Sequence, residues 1–171
     1  GMESGSPAIL KYLKKGTVTT EKIRNVVRAG VDNGMEVLGS FIIGAPGETA
    51  EDLMMTYNFI KELKLTEIGI NVATPFPGTE LWDYAVSQGH IKGDWDDSMY
   101  AMKTITPETI KDKRLLCSTD KDRFIEIYKM LIDLDSTLID RRVRIRALKG
   151  IVTGFFDKGV FPEKRIKVLD T

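Results

Sequence analysis

Three short stretches carry the residue types from which a ligand site could be built: GMESGS (1–6), GAPGET (44–49) and TPFPGT (74–79). Each is rich in Gly, Pro, Ser and Thr. Glycine lets backbone approach a ligand closely, and a helix that starts just after such a loop aims its first N–H groups at the same place. The same residues are what any short turn between a strand and a helix needs, so one stretch alone is ordinary turn chemistry. Three on one edge tilt the balance toward a site. Other candidates give less. The glycines between 39 and 48 lack the Gly-Lys-Ser/Thr ending of a phosphate-gripping loop. His90 follows a helix-ending glycine, has no metal-spaced partner and reads as a solvated surface residue. Asp94, Asp96 and Asp97 lack the glycine and glutamate spacing of a calcium loop and read as a solvated acidic turn. Cys117 reads as a partly buried thiol, and the basic run RRVRIRALKG (141–150) as a solvated helix face that complements a helix C-terminus.

The elements that must position those loops follow from periodicity. MEVLGSFIIG (35–44) is a short β-branched and aromatic run ending in glycine, read as a strand buried on both faces. Thr49 with Asp52 forms a capping-box pattern that opens about 16 residues of helix, with Leu53, Tyr57, Ile60 and Leu63 on one face. EIGINVAT (67–74) alternates Ile68, Ile70 and Val72 as a second strand. Strand, helix, strand is a βαβ unit, so the two strands should run parallel. Upstream, Ser6–Pro7 starts one helix that Gly16 stops, and Thr19 or Thr20 starts another over 20–33 that Gly34 stops. Downstream, the Pro/Gly turn at 75–78 leads into a short helix closing at Gly89. In such a unit a loop like GMESGS follows a strand, so the chain is expected to open at the C-terminal end of one. In parallel α/β sheets ligands sit at the carboxyl ends of the strands, where all three loops gather.

Residues 93–117 read as a polar connection with one short strand and a short helix at Pro107. Thr119 with Asp122 makes a second capping box opening a helical segment to about 149, in which Phe124, Ile127, Leu131, Leu134, Leu138, Ile145 and Leu148 share a face. A helix pair turning near Asp135–Ser136 fits almost as well as one rod. The expected organisation is 1–91 as an α/β unit, 92–118 as a connection and 119–171 as a mostly helical extension.

Composition bounds the function classes. The chain has 171 residues, 25 Lys plus Arg against 25 Asp plus Glu, 42% hydrophobic residues and one cysteine. Zero net charge argues against binding nucleic acid or anionic membrane by bulk charge. No apolar run approaches the ~20 residues of a membrane span. The opening residues have neither the basic region nor the hydrophobic run of a signal peptide, so a cytoplasmic location is the expectation.

GMESGSPAILKYLKKG, GSFIIGAPGET and TPFPGTELWDYA, in that order and spacing, resemble the second half of the radical S-adenosylmethionine (SAM) enzymes. The likeness is nearest to the anaerobic branch with cobalamin-dependent members similar to the magnesium-protoporphyrin monomethyl ester oxidative cyclases. It covers about residues 1–91. It implies part of a TIM-like (β/α)6 barrel, an enzyme as parent, SAM and a 4Fe–4S cluster as cofactors, and cobalamin as a further cofactor in some members. Such enzymes cleave SAM to a 5′-deoxyadenosyl radical for hydrogen abstraction or methyl transfer. By the resemblance, Glu3 and Ser4 would meet the ribose and methionine part of SAM. Ile42 and Gly44 would hold the adenine, and Asn71 and Thr74 would lie where the next strand reaches the same ring. Ser40 stands where the family pattern GxIxGxxE has its first glycine, and an added residue moves the acid to Glu48.

One departure outweighs these. The family's CxxxCxxC cluster loop is absent, and one cysteine cannot anchor a cluster that needs three. The leading expectation is a portion of a larger radical SAM enzyme, inactive alone, whose partners are the missing N-terminal half and an unknown small-molecule substrate. A non-catalytic scaffold or interaction module is the alternative, and a homodimer could then seal the exposed sheet edge. A basic nucleic-acid contact at Arg141–Lys149 is the weakest reading.

Overall fold

A computed structural model describes residues 1–91, 110 and 115–138. Its architecture is α/β: helices α1 (Pro7–Lys14), α2 (Thr20–Asp32), α3 (Ala50–Glu62) and α4 (Glu80–Ser87) surround strands β1 (Leu38–Ile43) and β2 (Glu67–Val72). A further helix, α5, runs through the described residues 121–138. The strands pair in parallel, Leu38 with Glu67 through Ile43 with Val72, as a partial β/α fold requires. On the other side of β1, Glu3 forms a single parallel bridge with Phe41.

Local signals set the helix starts. Ser6 caps α1 with Pro7 in the first turn, and Thr19 caps α2. Thr49 and Asp52 form the reciprocal capping box of α3, and Thr79 caps α4. The second expected box does not form. Asp120 caps α5 through Asp122 N–H and Arg123 N–H, while Thr119 turns its hydroxyl to the Glu48 carbonyl. The helix continues through Asp135–Ser136 without a turn. Strand β1 differs from expectation in its burial: Gly39, Phe41 and Ile43 are buried, but Leu38, Ser40 and Ile42 alternate onto a half-open face. The expected short elements of 93–109, the acidic turn at 94–97 and everything from 139 onward lie outside the described residues.

One core joins these pieces. Leu10, Ile23, Val27, Phe41, Ile43, Leu53, Phe59, Ile60 and Ile68 pack in the same cluster as Phe124, Ile127, Tyr128 and Leu131 of α5. α5 also reaches the sheet directly, because Asp135 Oδ1 accepts the Ile68 N–H at 3.1 Å. Residues 67, 69 and 71 of a parallel strand point their N–H groups to β1, so Ile68 points to the outer edge of β2. A carboxylate there satisfies a backbone donor that an edge strand otherwise leaves open. No described helix is long and apolar enough to cross a membrane.

Candidate functional site

Because residues 2–4, β1 and β2 run parallel, their three following loops gather at one sheet edge. Two of those loops are welded together by a buried polar network. Ser4 is fully buried; its hydroxyl lies 3.0 Å from that of Thr56 and accepts the Ser6 N–H at 3.1 Å. Thr56 donates to the Asp52 carbonyl and accepts the Gly5 N–H, which makes Ser4 the donor in the hydroxyl pair. Ser6 donates to Asp52 Oδ1 at 2.6 Å, and Thr49 N–H and hydroxyl both donate to Oδ2. Burial pushes the Asp52 carboxyl up, but these bonds from Ser6 and Thr49 outweigh it and hold the group below its usual range. Gly5 is required by this contact, since a Cβ there would stand 2.5 Å from Phe59 Cβ and 2.7 Å from Thr56 Cα. Much of the Gly/Ser character of the first loop is therefore spent docking it onto α3.

The second loop folds around Glu48. Its carboxyl is fully buried, with Oε2 accepting the Gly44 N–H at 2.5 Å and the Ala45 N–H at 3.1 Å. Among the described residues, Oε1 has no hydrogen-bond partner. Burial raises this carboxyl to about 7; the two backbone bonds oppose the rise and the Asp52 charge adds to it. The Glu48 carbonyl accepts both the Ser118 N–H and the Thr119 hydroxyl at 3.0 Å, tying residues 118–119 to the loop. Gly44, at φ 80°, takes a backbone conformation that favours glycine, with the Phe124 ring 3.4 Å from where a Cβ would project. Cys117 is half-buried as expected, and burial pushes its thiol up.

Ile42 and Asn71 are register partners on the half-open face of the sheet. Ile42 is half-buried and Asn71 exposed. Among the described residues, the Asn71 amide makes long contacts, 3.4 Å to Ser40 Oγ and 3.5 Å to the Phe41 carbonyl. Thr74 lies just past the strand and donates to the Val72 carbonyl at 2.9 Å. Glu3 flanks β1 on the other side: its N–H donates to the Ser40 carbonyl and its carbonyl accepts the Ile42 N–H at 2.8 Å. Its backbone sits at φ 63°, uncommon for a non-glycine residue, and Lys14 Nζ is 2.7 Å from Oε1. The fold thus gathers Glu3, Ile42, Gly44, Asn71 and Thr74 around one strand edge, while the Ser4 side chain is turned inward.

Sequence reasoning passed over Thr56, Lys14, the anchoring role of Glu48 and the edge contact of Asp135. A threonine three residues after Leu53, on the apolar face of α3, was the available signal for Thr56. Among the described residues, no group of three or more His, Cys, Asp or Glu side chains is placed to hold a metal ion. His90 lies beside the Tyr84 ring, with centroids 6.3 Å apart.

No protein-family model matches the chain. It is 42% identical over 87 residues to an uncharacterized methyltransferase of Pyrococcus horikoshii, covering 51% of this chain and 19% of that protein. A putative methylthiotransferase of Methanocaldococcus jannaschii gives the same identity and coverage. A ribosomal protein uS12 methylthiotransferase of Salmonella arizonae is 30% identical over 117 residues, 66% of this chain and 26% of that protein. The chain therefore spans between about a fifth and a quarter of the length of these relatives. Similarity to methyl- and methylthio-transferring enzymes supports a radical-SAM-like family and does not single out its cobalamin-dependent, cyclase-like branch.

Proposed function

We propose that residues 1–91 form the adenosine side of an S-adenosylmethionine pocket in a radical-SAM-type methyl- or methylthiotransferase. The carrying observation is the Ile42–Asn71 pair: a half-buried apolar side chain and an exposed amide adjacent on a half-open sheet face, with Ile42 two residues before Gly44. Such a surface suits a flat heteroaromatic ring, with Ile42 against its face and the Asn71 amide at its polar edge. Glu3 and Thr74 flank it as polar groups, and Ser4 acts by holding the first loop against α3. Glu48 shapes the second loop and is not a ligand in this reading.

The iron–sulfur cluster does not fit the residues present. Cys117 is the only cysteine in the sequence, and it is half-buried. No chemical step is assigned to this chain through a cluster. The cluster, the methionine end of SAM and the substrate belong, in this proposal, to the remainder of a longer protein. The relatives' greater length supports that division. The cobalamin-dependent variant of the chemistry rests on the wording of the motifs alone. An interaction module sealed by a symmetric dimer is the less favoured reading, because Asp135 already occupies the outer edge of β2 at Ile68.

Equilibrium dialysis of the chain against radiolabelled SAM tests the proposal. A half pocket is expected to bind with a dissociation constant of about 1 mM, roughly 4 kcal/mol. Ile42→Glu, on the open face, is expected to weaken retention at least tenfold with the fold intact. Equal retention by the two proteins would overturn the assignment of Ile42.

A further inference from the structure

The loop that follows β1 is held from behind by the start of α5. Phe124, in the first turn of that helix, is fully buried in the core with Phe41 and Ile43, the residues of β1 that alternate with Ile42. The same ring lies 3.4 Å from where a Gly44 Cβ would project, and Val72 Cγ1 lies 3.5 Å from it, so Gly44 is boxed in at its φ of 80°. Glu48 joins the two structures. Its side chain accepts the Gly44 and Ala45 N–H groups inside the loop, while its carbonyl accepts the Ser118 N–H and the Thr119 hydroxyl, both at 3.0 Å. Core packing alone accounts for Phe124. It does not account for Thr119, which stands where it could cap α5, leaves the cap to Asp120 and turns a buried hydroxyl to a loop carbonyl that already has one donor. Two donors on one oxygen and a ring against a positive-φ glycine make a clamp on residues 44–48.

We infer that Thr119 and Phe124 are positioning residues for the nucleoside site: they clamp loop 44–48 in the form that presents Gly44 and the carboxyl end of β1 to a bound ring. The inference rests on the adenosine-side reading above and goes beyond it, because it makes a segment outside residues 1–91 part of what sets affinity. Phe124 packs on the face of β1 away from Ile42, so it acts through the loop and not by touching the ligand. A thermodynamic consequence follows. A ligand that binds only the clamped loop suppresses opening of the clamp by the factor 1 + [L]/Kd, and loosening the clamp weakens that ligand in return.

The test is amide hydrogen exchange at Ser118, whose N–H closes the clamp, followed by NMR with and without S-adenosylhomocysteine. At about four times its dissociation constant, the ligand is expected to slow Ser118 exchange about fivefold. Gly34, whose N–H closes the far end of α2 on the Val31 carbonyl at 2.9 Å, should exchange at an unchanged rate. In the empty protein, Thr119→Val should speed Ser118 exchange about fivefold, the fold-change of one net hydrogen bond. The Thr119→Val/Phe124→Leu pair leaves a fraction of loops unclamped and should weaken S-adenosylhomocysteine about threefold or more. Thr119→Ser should match wild type in both measurements, and Asp135→Ala, at the other end of α5, should leave affinity as in wild type. Saturable shifts at 42–45 with no slowing at Ser118, or with equal slowing at Gly34, overturn the inference and leave the adenosine-side reading standing. Absence of any shift brings down that reading and the inference with it. Thermal unfolding shows whether the double variant folds; the wild-type exchange comparison decides the linkage without it.

Discussion

Glutamine in place of Glu48 should abolish one component of the protein's pH dependence. The folded chain holds the Glu48 carboxyl at about 7 against an ordinary value of 4.5. Burial is the main cause: charging a carboxyl in the interior, with one oxygen unpartnered among the described residues, is costly, and the Gly44 and Ala45 N–H bonds recover only part of that cost. Between those two values the native state binds more protons than the unfolded state, so stability falls as pH rises. The contribution is fully present below about 4.5 and is lost as pH passes 7. At about 1.4 kcal/mol per pH unit, the displacement amounts to ~3 kcal/mol. Glu48→Gln has no such proton. Any constant cost from its unpaired amide is the same at every pH, so the slope alone is diagnostic. Urea unfolding of both proteins from pH 5 to 8.5, at fixed ionic strength, reads it directly. Relative to wild type, the variant should gain ~3 kcal/mol across that range. Carboxyls held low, such as Asp52, act with the opposite sign and cancel in the difference. A stability difference independent of pH would refute the reasoning.

The remaining predictions concern the contacts that hold the edge together. Gly5→Ala forces a methyl group to within 2.5 Å of Phe59 Cβ and should cost about 3 kcal/mol in denaturant unfolding. Thr56→Val keeps the shape but strands the Ser4 hydroxyl and the Gly5 N–H, and should cost about 2 kcal/mol; Thr56→Ser should recover most of it. Asp135→Ala leaves the Ile68 N–H unpaired at the outer edge of β2, and amide hydrogen exchange at Ile68 should accelerate by about tenfold.

What the sequence disclosed was local. Ser6–Pro7, Thr19, Thr49–Asp52 and Thr79 act within a few residues, so each helix start could be read directly and was found in place. The parallel pairing followed from strand–helix–strand order, but the register that makes Ile42 and Asn71 neighbours did not. What stayed hidden depends on partners distant in the chain. Ser4 and Thr56 are separated by 52 positions, and only their meeting shows that the first loop's serines serve packing. Thr119 with Asp122 looks like a capping box in isolation. The Glu48 carbonyl, 71 positions away, takes the Thr119 hydroxyl and leaves the cap to Asp120. The strand over 38–43 looked buried on both faces because Leu38, Phe41, Ile42 and Ile43 are all apolar. Composition cannot tell a core face from an open face that awaits a ligand or another chain.

The central claim is that one face of this small sheet receives adenosine. An amide correlation spectrum of the chain, recorded with S-adenosylhomocysteine raised to several times a dissociation constant of about 1 mM, tests it most directly. Saturable shifts confined to the amides of 3–5, 42–45 and 71–74, with α2 and the outer face of α3 unmoved, are the predicted result. A spectrum that does not change, or shifts that map to the groove between Arg28 and Lys64, would contradict it.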